Sequence, residues 1–97
     1  MQTEEIFSRK GKFLIFMYSP GCAVSKGVAQ AINKYKTSEK SLEVIDVNVI
    51  EDEEKKDKIN NHYQIDHKSP QIILIENQAC KKILLPFEIS PYSLKAI

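Results

Sequence analysis

The stretch Phe13-Leu14-Ile15-Phe16-Met17-Tyr18-Ser19-Pro20-Gly21-Cys22-Ala23-Val24-Ser25 decides the fold. Its first five residues form a short, continuous apolar run, the pattern of a strand buried on both faces. Tyr18-Ser19-Pro20-Gly21 then breaks the run with loop chemistry. From Cys22 to about Tyr35 the apolar period changes: Val24, Val28, Ile32 and Tyr35 fall at i, i+4, i+8 and i+11, one face of a helix. Gly27 weakens that helix by about 1 kcal/mol relative to Ala, so the periodicity carries the assignment. Leu42 to Val47 returns to strand character. A strand, a crossover helix and a second strand make a βαβ unit, whose two strands should run parallel.

The flanks complete the pattern. Upstream, Thr3-Glu4-Glu5-Ile6-Phe7 reads as a helix start, with a threonine cap and acidic residues at the positive end of the dipole; Gly11 closes it. Downstream, the charged segment Glu51 to Tyr63 carries a narrow apolar stripe, Ile59 and Tyr63, and reads as a surface helix lying on the sheet. Beyond Pro70, Ile72-Ile73-Leu74-Ile75 is another buried strand. Asn77-Gln78-Ala79 supplies a turn, and Lys82-Ile83-Leu84-Leu85 returns as the hairpin partner. Ser90-Pro91 is a cap followed by proline at the first helical position, so a terminal helix should run from Pro91 to Ile97. A βαβ unit followed by ββα is the thioredoxin arrangement. The expectation is an α/β chain with a central four-stranded mixed sheet and an extra N-terminal helix, one domain over residues 1–97.

Bulk properties narrow the function classes. The net charge is +1, from 14 basic and 13 acidic residues spread along the 97-residue chain. With no basic block or stripe interleaved with aromatics, nucleic acid is not an expected partner. No apolar run approaches the roughly 20 residues that span a bilayer, so a membrane is not expected either. Met1 to Lys12 lacks the apolar centre of a secretion signal, and two cysteines are too few for a disulfide scaffold. A cytoplasmic monomer is the expectation.

Cys22 is the leading candidate for chemistry. It follows a buried strand and a Pro-Gly loop and opens the first long helix. Ligand sites in open α/β sheets form beyond the carboxyl ends of strands. A helix start also favours an anion, and the thiolate is the nucleophilic form of cysteine. Lys26, one turn on, adds a positive charge nearby. A buried structural cysteine is the bland alternative. Ser25 stands where a dithiol oxidoreductase has its second cysteine, so Cys22-Ala23-Val24-Ser25 is C-x-x-S and cannot close an internal disulfide. Ser25 is either a hydrogen-bond donor to the thiolate or simply a polar residue of the first turn.

Cys80 is excluded as an internal resolving thiol on geometry. A strand from Gln71 to Glu76 carries the chain roughly 20 Å from Pro70, whereas a disulfide needs Cα atoms within about 7 Å. Pro70 opens the third strand; in thioredoxin-like folds the proline there is characteristically cis and lies beside the catalytic thiol, the alternative being an ordinary strand-entry proline. Ser69 would then offer backbone groups to an extended substrate. His67 is either a rim residue of the site or a solvated loop histidine, and two histidines without paired cysteines make no metal site.

These residues together resemble the monothiol bacilliredoxins of the YtxJ type, small thioredoxin-like proteins of bacteria that make bacillithiol. The resemblance runs from the first strand to the last helix. It is carried by Cys22-Ala23-Val24-Ser25, Asp46-Val47, Val49-Ile50-Glu51-Asp52, His67-Lys68-Ser69-Pro70-Gln71, and Ile89-Ser90 with Ser93-Leu94. It implies removal of bacillithiol from mixed disulfides on S-thiolated client proteins, with Cys22 as nucleophile, Pro70 as the cis proline, bacillithiol as co-substrate and no tightly bound cofactor. Gly21, Ala23, Ser69, Pro70 and His67 would line the substrate side. The chain departs from the family pattern in having Gly21 where threonine is usual and Ala23 where proline is usual. Two alternatives stay open: a monothiol redoxin using glutathione or coenzyme A, and a thioredoxin-fold binding module whose cysteine is not catalytic.

Overall fold

The computed structural model describes residues 2–21, 23–39, 41–66 and 70–97, with Pro91 described by its backbone alone. The elements are α1 (Thr3–Ser8), β1 (Lys12–Tyr18), α2 (Ala23–Lys36), β2 (Val44–Asn48), α3 (Glu53–Tyr63), β3 (Gln71–Glu76), β4 (Ala79–Leu84), a 3-10 turn (Pro86–Glu88) and α4 (Pro91–Lys95). The four strands form one sheet in the order β2-β1-β3-β4. β1 pairs with β2 in parallel and with β3 antiparallel, and β3 pairs antiparallel with β4. This is the four-stranded mixed sheet expected of a thioredoxin fold, with α1 as the extra N-terminal helix.

β1 is a continuous apolar run because it has a core on each face. Phe13, Ile15 and Met17 point into one cluster with Ile6 of α1, Ile45 and Val47 of β2, Ile59 of α3, and Ile73 and Ile75 of β3. Leu14 and Phe16 point into the other, with Val28, Ile32 and Tyr35 of α2, Ile72 and Leu74 of β3, and Leu94 of α4. Each such side chain contributes roughly 1.5–3 kcal/mol when withdrawn from water. Both faces of the central strands are therefore occupied, and what remains for chemistry is the ends of the sheet.

Several boundaries differ from the sequence reading. Gln2 caps α1, its N–H donating to Glu5 Oε1 at 3.4 Å, while Thr3 is buried in the first turn and is not the cap. The helix also stops at Ser8, before Gly11. In α2 the buried face is Ser25, Val28, Ile32 and Tyr35, and Val24 is 52% exposed. Both spacings fit a helix; Ser25 turns inward because its hydroxyl takes a backbone hydrogen bond described below. β4 starts at Ala79, directly after Asn77 and Gln78, both at positive φ as in a two-residue type I′ hairpin turn. A register shift between Leu74 and Ile75 leaves Lys81 as an extra residue and hides the alternation of β4. Ser90 caps α4 as expected, accepting from the Ser93 N–H at 3.1 Å, but the helix ends at Lys95.

Candidate functional site

Three connections meet at one end of the sheet. β1 ends at Tyr18 and β2, parallel to it, ends opposite at Asn48. β3 begins at Gln71, opposite Met17, so the register carries Pro70 alongside Tyr18. β4 ends at Leu84, opposite Ile72, and the 3-10 turn follows. α2 starts at this same end, at Ala23. Of the expected site residues, Gly21, Ala23, Ser25 and Pro70 are brought together here. Cys22, His67 and Ser69 lie outside the described residues, as does Lys68.

The loop from β1 to α2 is built from two devices. Gly21 has φ +84°, a left-handed backbone that L side chains rarely adopt, and no atom lies within 4 Å of where its Cβ would be. The demand for glycine is thus conformational, and a β-branched residue would be strained there. The second device is a clasp: the Ser19 N–H donates to Ser25 Oγ at 3.2 Å. Ser25 is only 3% exposed, a polar residue among the apolar ones on the buried face of α2. Cys22 lies in the chain between these two fixed points. Lys26 is exposed.

Pro70 is buried at the entry to β3. Beyond it, under the connection from α3 to β3, lies a cavity of about 390 Å³ lined by Gln64, Ile65, Asp66, Gln71, Ile83 and Glu88 among others. Gln64 turns the chain out of α3 with φ 55°. On the opposite flank, Asn48 Oδ1 accepts the N–H groups of both Ile50 and Glu51 at 3.0 Å, fixing the turn after β2 with Ile50 outward. Val24, Ile50 and Phe87 are 52%, 66% and 85% exposed at this end, in the first turn of α2, the turn after β2 and the 3-10 turn respectively. Ile50 and Phe87 were missed in the sequence.

Cys80 is elsewhere. It pairs with Ile75, which itself pairs with Phe13, so it lies toward the far end of the sheet. Ile75 is five positions along the chain from Pro70, roughly 17 Å at strand rise. Cys80 packs against the α1–α3 side of the core beside Tyr63 and Phe7. Burial pushes its thiol above the ordinary value of 9.0, a backbone hydrogen bond from Lys82 opposing this only in part. Burial, and then the nearby Cys80, push the Tyr63 hydroxyl up as well. His62 is stacked on Phe7 with ring centroids 3.8 Å apart, in that same aromatic group. Among the described residues no group of three or more metal-ligating side chains gathers. Nor is any described helix long and apolar enough to cross a membrane.

A thioredoxin fold with a cysteine between the β1 loop and the first residue of α2 defines a thiol-redox protein of the thioredoxin-like class. The chain matches the family described as monothiol bacilliredoxin BrxC over residues 1–91, and it belongs to that family. Solved structures agree on the fold. A protein with a thioredoxin fold is 19% identical with a TM-score of 0.85, over 96% of this chain and 82% of that one. Trxlp from Edwardsiella tarda EIB202 is 17% identical with a TM-score of 0.75, over 96% and 86% of the two chains. Oxidised thioredoxin from Plasmodium falciparum is 20% identical with a TM-score of 0.73, over 99% and 88%. No curated protein sequence matches this chain.

Proposed function

We propose that the protein removes bacillithiol, or a similar low-molecular-weight thiol, from mixed disulfides on client proteins, with Cys22 as the attacking thiol. The Cys22 thiolate attacks the small-thiol sulfur of a client disulfide. The client leaves as a thiolate, and the small thiol is now held on Cys22 in a new disulfide. A second small-thiol thiolate then attacks that disulfide, releasing the oxidised small-thiol dimer and regenerating the Cys22 thiolate.

One observation carries the monothiol reading: the chain's other cysteine, Cys80, is free and stands away from the site end of the sheet. Position 25 is serine, and Cys80 lies roughly 17 Å along the sheet from Pro70, far beyond the reach of a disulfide. The family membership supports bacillithiol as the small thiol. The exposed Val24, Ile50 and Phe87 around the site end support a protein, not a free disulfide, as the substrate. Pro70 and Ser69 would receive the client segment by strand-like pairing, with Gly21, Ala23 and His67 at the rim. The protein needs no tightly bound cofactor for this chemistry and would act in the cytoplasm, where small thiols keep such exchanges reversible.

The test is intact mass after mixing the reduced protein with a bacillithiol-modified client, with Cys22→Ser and Cys80→Ser variants alongside. The adduct should move to the wild type and to Cys80→Ser, and not to Cys22→Ser. Transfer only from glutathione or coenzyme A adducts would change the small thiol. No transfer from any of the three would leave a binding module.

A further inference from the structure

We infer that Ser25 is a positioning residue that governs Cys22 through the backbone amide of Ser19, not through contact with the sulfur. The inference rests on the reading of Cys22 as the attacking thiol. The Ser19 N–H donates to Ser25 Oγ at 3.2 Å, and the hydroxyl that accepts it is almost wholly buried. This bond ties the last loop segment before α2 to the first turn of the helix. Cys22 lies in the middle of the seven residues so closed, 19 to 25.

The backbone inside that ring has little freedom left. Pro20 holds its own φ near −65° through its ring. Gly21 is set at φ +84°, and Ala23 already belongs to α2. The clasp is a tie that opposes any swing of Ser19–Gly21 away from the helix. That matters for the thiol because the pull of a helix start on an anion falls off within the first turn. A loop that could swing would leave Cys22 less favourably placed for the thiolate, its nucleophilic form.

The residue type at position 25 fits this role. A serine hydroxyl is a small acceptor with lone pairs to spare. Alanine would accept nothing, and cysteine sulfur accepts only weakly. A serine buried where the helical period also permits a valine, Val24 being turned out to 52% exposure, is explained by the bond it makes to Ser19. In a C-x-x-S site the serine is then neither a relic of a second cysteine nor a donor to the thiolate. It holds the loop.

The test separates the two routes by deleting the amide while keeping every side chain. The Gly21-Cys22 junction permits ligation of a synthetic 1–21 thioester to a chain of residues 22–97 that begins with cysteine. In the synthetic piece an ester oxygen replaces the Ser19 N–H. All proteins carry Cys80→Ser, and the readout is the pH dependence of iodoacetamide alkylation at Cys22. The ester protein should alkylate about three- to tenfold more slowly at pH 6, the size of one net hydrogen bond. Ser25→Ala should match it, and the two changes together should do no more than either alone. Ser25→Thr, which keeps the acceptor oxygen, should restore the faster rate. An ester protein that behaves as wild type while Ser25→Ala is slow would overturn the inference in favour of direct contact with sulfur. Effects that multiply, or variants that change nothing, would overturn it too. A wild-type Cys22 no faster than the urea-unfolded thiol would instead overturn the nucleophile reading beneath it.

Discussion

Cys80 lies toward one end of the sheet, the segment that carries Cys22 in the sequence joins β1 to α2 at the other, and the contrast between these two regions bears on why the proposed chemistry is assigned to Cys22. Cys80 stands in the β3–β4 ladder, opposite Ile75 and beside Tyr63, where its backbone is paired and its surroundings are apolar. A thiol there is favoured in its neutral form, and burial pushes it up accordingly. Cys22 belongs to a segment where the chain must leave β1, turn through a left-handed Gly21 and begin α2. Its neighbours along the chain belong to a loop and to the first turn of a helix, whose leading N–H groups have no partner within the helix ladder itself. The difference is positional: strand interiors saturate the backbone, and strand-to-helix turns leave it free to meet a substrate.

The harshest way to break this contrast is to remove each thiol in turn. Cys22→Ser should abolish adduct transfer, a loss of at least about 1,000-fold against a measurable background, because no other thiolate is within reach. Cys80→Ser should leave the rate within about twofold, since a half-buried thiol held in its neutral form is a poor nucleophile. Mass spectrometry of the transferred adduct reads both. Loss of turnover on removing Cys80 would end the distinction between the two ends of the sheet.

A gain of function sharpens it. Ser25→Cys creates a C-x-x-C pair across the first turn of α2, and mild oxidation should then lower the intact mass by two hydrogens. The variant should also slow the reaction of reduced Cys22, because it weakens the bond to the Ser19 amide. Failure to oxidise would argue against a helix-start position for Cys22. A smaller effect follows at Gly21. Gly21→Thr restores the residue usual in the family, and here it should cost about 1–2 kcal/mol in urea unfolding, from the strain of a β-branched residue at φ +84°.

The sequence made the sheet readable and left part of the site hidden, for identifiable reasons. Phe13 to Met17 and Ile72 to Ile75 were legible because a strand with a core on both faces has no polar residue to interrupt it. The α2 period was legible too, but its start was misphased by one residue. Apolarity favoured Val24, and no pattern announces that a serine six residues after Ser19 will turn inward to accept its amide. The bulge beside Ile75 masked the first half of β4 because it shifts the two-residue alternation. The 3-10 turn at Pro86–Glu88 was invisible since proline there reads only as a stop, although Glu88 Oε1 accepts the Leu85 N–H at 3.0 Å and holds the turn together. Cys22, Ser25 and Pro70 could be proposed as site residues because their spacing follows from topology; the exposed Phe87 and Ile50 could not, because exposure is a property of packing.

The last prediction is the mildest and concerns Cys80 alone. Both Cys80 and Tyr63 have their acidic groups pushed up by burial, and Cys80 adds to the cost of ionising Tyr63. In the unfolded chain these groups lose their protons at ordinary values, 9.0 for the thiol and 10.0 for the phenol. The folded state holds its protons to higher pH, so above those values it binds more protons than the unfolded state. By linkage, stability then falls as pH rises. The contribution is present in full below pH 9.0 and is lost progressively on the alkaline side. Urea midpoints should therefore be insensitive to these two groups from neutrality to mild alkali and decline beyond it. Cys80→Ala removes one of the two titrations and should flatten that decline relative to wild type, whereas Cys22→Ala leaves both of these groups in place and should not. An equal flattening by both variants would show that the two thiols feel the same field, and the contrast between the ends of the sheet would not hold.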